Sequence, residues 1–179
     1  MPTVDRLLKS LGNSLVREAR RAFRTATRPL PSPRAGRRAP ASSPTGYPGD
    51  FTGVPVLTYQ PVPDDNADPG EVVWAWVPYE EDHSRGKDRP VLVVGRDGPW
   101  LLALPMTSKD HDRDARQEAE QGRYWCDIGT GSWDREGRPS EVRVNRILRI
   151  DPAAVRRISV RLAPERFEQV AREVLRHYR

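Results

Sequence analysis

Apolar and polar positions divide the chain into a β-rich C-terminal portion and an N-terminal portion with little to bury. Between Pro69 and Ser108, three β-branched and aromatic runs, Glu71–Val77, Pro90–Gly95 and Trp100–Leu104, are separated by polar loops, which predicts a small antiparallel sheet. Arg123–Ile128 predicts a fourth strand and Glu141–Ile150 a fifth. Asp151-Pro152 has the form of an N-cap followed by proline at the first helical position, so a short helical turn is expected there. From Pro164 onward Phe167, Val170, Ala171, Val174, Leu175 and Tyr178 fall on one helical stripe, with Glu168 and Arg172 paired on the polar side. The expectation is a mostly β (α+β) domain over residues 69–179, a small barrel closed by a C-terminal helix.

The preceding residues read differently. Val4, Leu7, Leu8, Leu11, Leu15, Ala19 and Phe23 recur at helical spacing among Arg17, Arg20, Arg21 and Arg24, which predicts a basic amphipathic helix over residues 1–27. Residues 28–68 begin as a Pro/Arg/Ser-rich linker with few side chains to bury, and disorder is expected there. Tyr47, Phe51, Val54, Val56, Leu57 and Tyr59 then offer apolar groups that would pin an irregular arm to the domain surface. Lys109–Gly122 is polar on every side. Its Asp110, His111, Asp112 and Asp114 alternate with basic residues and read as solvated, so no metal site is expected.

Charge sharpens this division. Of 179 residues with a net +5, the first forty hold ten Lys/Arg against two Asp/Glu, so the basicity belongs to the N-terminal arm. A hydrophobic fraction of 36% and a mean hydropathy of −0.74 agree with a chain of which part buries nothing. The single cysteine, Cys126, excludes an internal disulfide and fits a reducing compartment. No apolar run reaches the roughly eighteen residues of a membrane span, and the expected location is the cytoplasm. Gly129-Thr130-Gly131-Ser132 lacks the ending of a P-loop and reads as a turn.

The loop from Pro78 to Arg89 concentrates Glu80, Glu81, Asp82, His83, Arg85, Lys87, Asp88 and Arg89 around Gly86. Such a loop suits a solvated hairpin tip, and equally a site that holds phosphate with cations and moves protons with carboxylates or imidazole. Gly70-Glu71-Val72-Val73-Trp74, then Arg89-Pro90-Val91-Leu92-Val93, then Pro105-Met106-Thr107-Ser108 follow one another in an order and spacing that resembles the MazF/PemK toxins of type II toxin–antitoxin systems. Glu71 stands where those toxins usually have aspartate and Met106 where they usually have isoleucine. The resemblance implies an SH3-like barrel of five to six strands, shared with the CcdB toxins. It also implies a metal-independent endoribonuclease, with no cofactor, acting on single-stranded RNA as a homodimer neutralised by a cognate antitoxin protein, with DNA a further ligand of the toxin–antitoxin complex.

Self-cleavage of RNA through its 2′-hydroxyl needs a cation for the phosphate, a base and an acid. The family's catalytic arginine and threonine correspond to Arg89 and Thr107, with Ser108 as a neighbour. Arg89 enters a strand ahead of Pro90, and its planar fork suits two phosphate oxygens. The proton carriers are open among Glu80, Glu81, Asp82 and His83; Glu81 and His83 are the candidates carried forward. Arg85, Lys87, Arg96 and Lys109 form the candidate cationic path. Trp100 is the leading stacking surface, with Tyr124, Trp125 and Trp133 as further aromatics. Two other functions fit the same residues: a non-catalytic SH3-like nucleic-acid (DNA) binding module or autoregulator, favoured by the basic arm, and a CcdB-like topoisomerase poison.

Overall fold

Residues 46–110 and 115–178 are described in the computed structural model of the chain; the expected basic helix, the start of the linker, and His111, Asp112 and Asp114 lie outside them. Seven strands form one curled antiparallel sheet: β1 (Glu71–Pro78), β2 (Gly86–Asp97), β3 (Trp100–Thr107), β4 (Trp125–Gly129), β5 (Ser140–Arg143), β6 (Leu148–Ile150) and β7 (Arg157–Arg161). Their order is β4-β5-β3-β2-β1-β7, with β6 also on β3. A short helix α1 (Ala115–Glu120) precedes β4, a single 3₁₀ turn (Pro152–Ala154) precedes β7, and α2 (Pro164–His177) ends the fold. The architecture is mostly β with a C-terminal helix, and it has more strands than the pattern predicted.

Each extra strand has a physical reason for escaping the pattern. β2 starts four residues early because Lys87, Asp88 and Arg89 pair with Val77, Trp76 and Ala75 of β1. Those charged side chains hide the strand from a hydrophobicity count. Gly86 permits this extension, since a Cβ there would meet Val77 O at 2.4 Å and the Trp76 ring at 2.6 Å. The predicted fifth strand is two, β5 and β6, split by a turn at Val144-Asn145. β7 was missed because arginines occupy both of its ends.

The first three strands are buried on both faces, which explains their near-continuous apolar runs. Val72, Leu92, Leu102, Leu104 and Met106 join one cluster, which Phe167, Val170 and Val174 of α2 complete. Val73, Ala75, Val77, Val91, Val93, Leu101 and Ala103 join a second. Leu175, at the margin of the helical stripe, is 41% exposed. Cys126 is buried, and burial pushes its thiol up to about 11, so it behaves as a small apolar group.

The segment before β1 is strapped across the sheet. Phe51 N–H donates to Ile147 O at 2.8 Å and Thr58 N–H to Val94 O at 3.0 Å. Leu57 bridges Gly95, where a Cβ would strike Val56 O at 2.4 Å. Arg146, only 8% exposed, donates Nε to Asp50 at 2.8 Å and Nη2 to Pro78 O at 3.0 Å, tying the strap to the end of β1. On the other side of that end, Arg143 grips Glu80 with two nitrogens at 2.7 and 3.1 Å.

Two outcomes follow from these anchors. Among the described residues, replacing Arg146 by Met takes away the only cation on the Asp50 carboxylate, leaving it the Tyr47 hydroxyl, and removes the donor to the buried Pro78 carbonyl, and urea unfolding should lose roughly 2–4 kcal/mol. The Arg143 guanidinium holds the Glu80 carboxyl below its ordinary value. That stabilisation is therefore fully present above the unfolded glutamate value of about 4.3 and is lost as pH falls through the lower folded value. Urea midpoints across an acid pH series should fall less steeply for Glu80→Gln than for the wild type.

Candidate functional site

β3 changes partners along its length, and this change opens the site. Its N-terminal half pairs with β2 on one edge and β6 on the other, while Met106 and Thr107 pair with Val142 and Glu141 of β5. The β2–β3 ladder begins at Val91↔Pro105, and beyond that pair β2 continues outward on β1 alone. The two strands splay into a fork. Arg89 and Thr107 each stand two residues past the last pair, one on each arm.

A cavity of about 690 Å³ fills this fork. Lys87, Asp88, Arg89 and Pro90 form one wall, Met106, Thr107 and Ser108 the opposite one, and the β4–β5 loop from Trp133 to Arg138 a third. Trp74 and Arg156 complete it. The lining carries five basic and three acidic side chains. Arg156 pairs with Asp88, and Arg138 with Asp134 and Glu136. Among the described residues Lys87, Arg89 and Arg135 have no ion-pair partner, so the cavity has a surplus of positive charge.

Arg89 is the unusual member of this set. Its Nε is closed off from solvent and meets no hydrogen-bond acceptor. Burial pushes its guanidinium below the ordinary value, partly offset by Tyr79. An arginine still remains charged at neutral pH. A half-buried cation with an unmet donor, at the edge of an open cavity, favours an incoming anion. Across the fork, the Thr107 hydroxyl oxygen accepts from Lys109 N–H at 3.1 Å, which leaves the hydroxyl proton to donate elsewhere.

The third wall is rigid. Trp133 is buried, its ring covers Gly131, and its Nε1–H donates to Ser140 Oγ at 3.0 Å. Asp134 accepts from Glu136 N–H at 2.8 Å and from Arg138 Nε at 2.9 Å. The Glu136 N–H is the main cause holding the Asp134 carboxyl below its usual value, with Arg138 and the Ser108 hydroxyl adding to it.

Of the candidates from sequence, the cavity brings together Arg89, Thr107, Ser108, Lys87 and the aromatic Trp133. The others lie elsewhere. Glu81 is exposed on the β1–β2 loop, and the exposed His83 there packs edge-on against Tyr47 at 5.0 Å. Arg85 lies over the Tyr79 ring at 5.8 Å, and the Lys109 side chain is exposed beyond the end of β3. Trp100 starts β3 where Thr107 ends it, about 23 Å away. It lines a separate small recess with Trp76 and Arg149. Arg96, towards the far end of β2, is engaged by Asp68 at 3.1 Å and by Ala67 O at 3.2 Å.

Sequence reasoning passed over Asp88's pairing, Arg156 and, Trp133 apart, the β4–β5 loop. The loop carried a signal, since Asp134 and Arg138 stand four apart beside Gly137 in a second segment of mixed charge. Nothing local marked Arg156, which joins the site only through the β1–β7 pairing. Two further aromatics are occupied structurally: Trp125 Nε1–H donates to Glu118 at 3.1 Å, and Tyr124 packs on His177 at 4.4 Å. Among the described residues no group of three or more His, Cys, Asp or Glu side chains has metal-holding geometry, and no helix is long and apolar enough to cross a membrane.

Comparison with known proteins covers the region that builds this fork. Among solved structures, the MazE–MazF complex from Deinococcus radiodurans is similar at 17% identity and a TM-score of 0.43, covering 62% of this chain and 94% of that one. No curated protein matches. The family described as PemK-like, MazF-like toxin of type II toxin–antitoxin system matches residues 68–178, from the turn before β1 to the end of α2, and the chain belongs to that family.

Proposed function

We propose that the chain is a metal-independent endoribonuclease that cleaves single-stranded RNA through its 2′-hydroxyl. The observation that carries this reading is the cavity at the β2–β3 fork, where the half-buried Arg89, with its unmet Nε donor, faces the Thr107 hydroxyl. In the reaction the 2′-oxygen attacks phosphorus and the bond from phosphorus to the 5′-oxygen breaks. The 2′-hydroxyl proton passes to a base and the departing 5′-oxygen takes one from an acid, leaving a 2′,3′-cyclic phosphate and a 5′-hydroxyl. Negative charge builds on the equatorial phosphate oxygens on the way. A preorganised guanidinium is worth most there, because it is already desolvated when the charge develops. Thr107 supplies a second donor.

The carriers of the two protons are drawn from the lining carboxylates Asp88, Asp134 and Glu136 and from Glu81 and His83 on the neighbouring loop. The carrier is the residue whose removal erases one limb of the pH–rate profile. Lys87 and Arg135 extend the positive path along the strand of RNA. As a type II toxin the chain works with a cognate antitoxin protein and as a homodimer, and the basic cavity suits an acidic antitoxin segment.

The test is incubation of the purified chain with mixed-sequence single-stranded RNA in EDTA. Cleavage to 2′,3′-cyclic phosphate ends is expected, with Arg89→Ala lowering the rate on the order of 10²- to 10³-fold. Thr107→Ala should lower it about tenfold or more. RNA left intact by the folded wild type, or cut equally by Arg89→Ala, overturns the reading.

A further inference from the structure

We propose that Arg156, positioned by Asp88, is a second phosphate site, so that the cavity takes two successive phosphodiesters of one nucleic-acid strand. The inference deepens the reading of RNA as ligand and rests on it. Arg156 enters the cavity from the opposite side of β1 to Arg89. Its backbone N–H donates to Trp74 O at 2.9 Å, just ahead of the Trp74↔Arg157 pair that starts β7, whereas Arg89 sits opposite Ala75 on β2. The two arginines are therefore rooted two strand spacings apart, about 10 Å at the backbone. That separation suits two anionic groups in a row better than one.

The way Arg156 meets Asp88 supports a role beyond that of a counter-ion. Arg143, which anchors Glu80, spends both of its terminal nitrogens on the carboxylate. Arg156 spends only Nη1 on Asp88, and its Nη2 is closed off from solvent without an acceptor. Its side chain is 23% exposed and lines the cavity. Asp88 thus fixes the direction of the guanidinium while one donor is left for a ligand.

The probes are uncleavable oligonucleotides of 2′-deoxyuridine, one with a single phosphodiester and one with two, titrated into the full chain. Since neither has a 2′-hydroxyl, binding is read without catalysis. The wild type should prefer the two-phosphate probe by about tenfold. Arg156→Gln should reduce that preference to less than about threefold and flatten the salt dependence for the longer probe by about 0.7 in log–log slope, while Arg156→Lys should keep most of the preference. If Arg156→Gln does not fold, Asp88→Asn gives the answer: the amide oxygen still accepts from Nη1 and directs the guanidinium, while the negative charge that competes with the second phosphate is gone, so the preference should widen. A wild type that ignores the second phosphate, an Arg156→Gln preference equal to wild type, or an Asp88→Asn preference that fails to rise overturns the inference. Arg156-dependent binding with uncut RNA would sink the endoribonuclease and leave the subsite standing; cut RNA with an unchanged preference would do the reverse.

Discussion

A β-strand has two edges to satisfy, and β3 satisfies them with three different neighbours. Up to Pro105 it is held by β2, with β6 on its other edge; past Pro105 only β5 remains. If β2 followed β3 to its end, the ladder would close and no cavity would exist. β2 instead stays with β1 for its whole outer length, because Gly86 lets the Trp76 ring and the Val77 carbonyl approach where any side chain would collide. The fork, and every group that lines it, depends on this division of hydrogen-bonding partners. Apolar clusters on both faces of β1–β3 keep it rigid, and the ion pairs of Arg143 and Arg146 hold the outer end of β1 in place.

The cavity is built at an energetic cost that the core has to offset. A buried donor without an acceptor costs about 1–3 kcal/mol, and Arg89 Nε and Arg156 Nη2 are both in that condition. Four arginines elsewhere in the domain are well matched: Arg143 to Glu80, Arg146 to Asp50, Arg149 to Asp97 and Arg123 to Glu118. Among the described residues these two unmet guanidinium donors occur together at the cavity of about 690 Å³. The contrast within a single domain is what suits the cavity to an anion, because the four arginines that brace loops are neutralised by carboxylates.

Much of the fold could be read from apolar periodicity, and the reasons for the remainder are local. β1, β3 and α2 announced themselves because they bury at least one continuous face. The outer part of β2 and all of β7 did not, since Lys87, Asp88, Arg89, Arg157 and Arg161 put charge where a pattern search expects valine or isoleucine. The site divides along the same line. Arg89, Thr107, Ser108 and Lys87 come from contiguous motifs beside a recognisable strand. Arg156 and the 133–140 loop come from strands whose pairing crosses the chain, β1 with β7 and β4 with β5. Glu81, His83 and Arg85 came from the charge of the first loop and Trp100 from its ring, and the sheet places Trp100 at the opposite end of its strand from Thr107.

Residue type therefore says less here than direction of approach. Lys87, Asp88 and Arg89 are consecutive, yet they serve three ends: a free cation, a brace for Arg156 and an unmet guanidinium. Alternation along a strand separates them, since neighbours point to opposite faces and only the splayed geometry lets both faces border one cavity. A closed ladder would have put Asp88 and Arg89 on different sides of the sheet, with no common ligand. The fork turns a three-residue run into a ring of charge around one space, and the β4–β5 loop, clamped by Trp133 and by the Asp134–Arg138 pair, closes that ring from the other side.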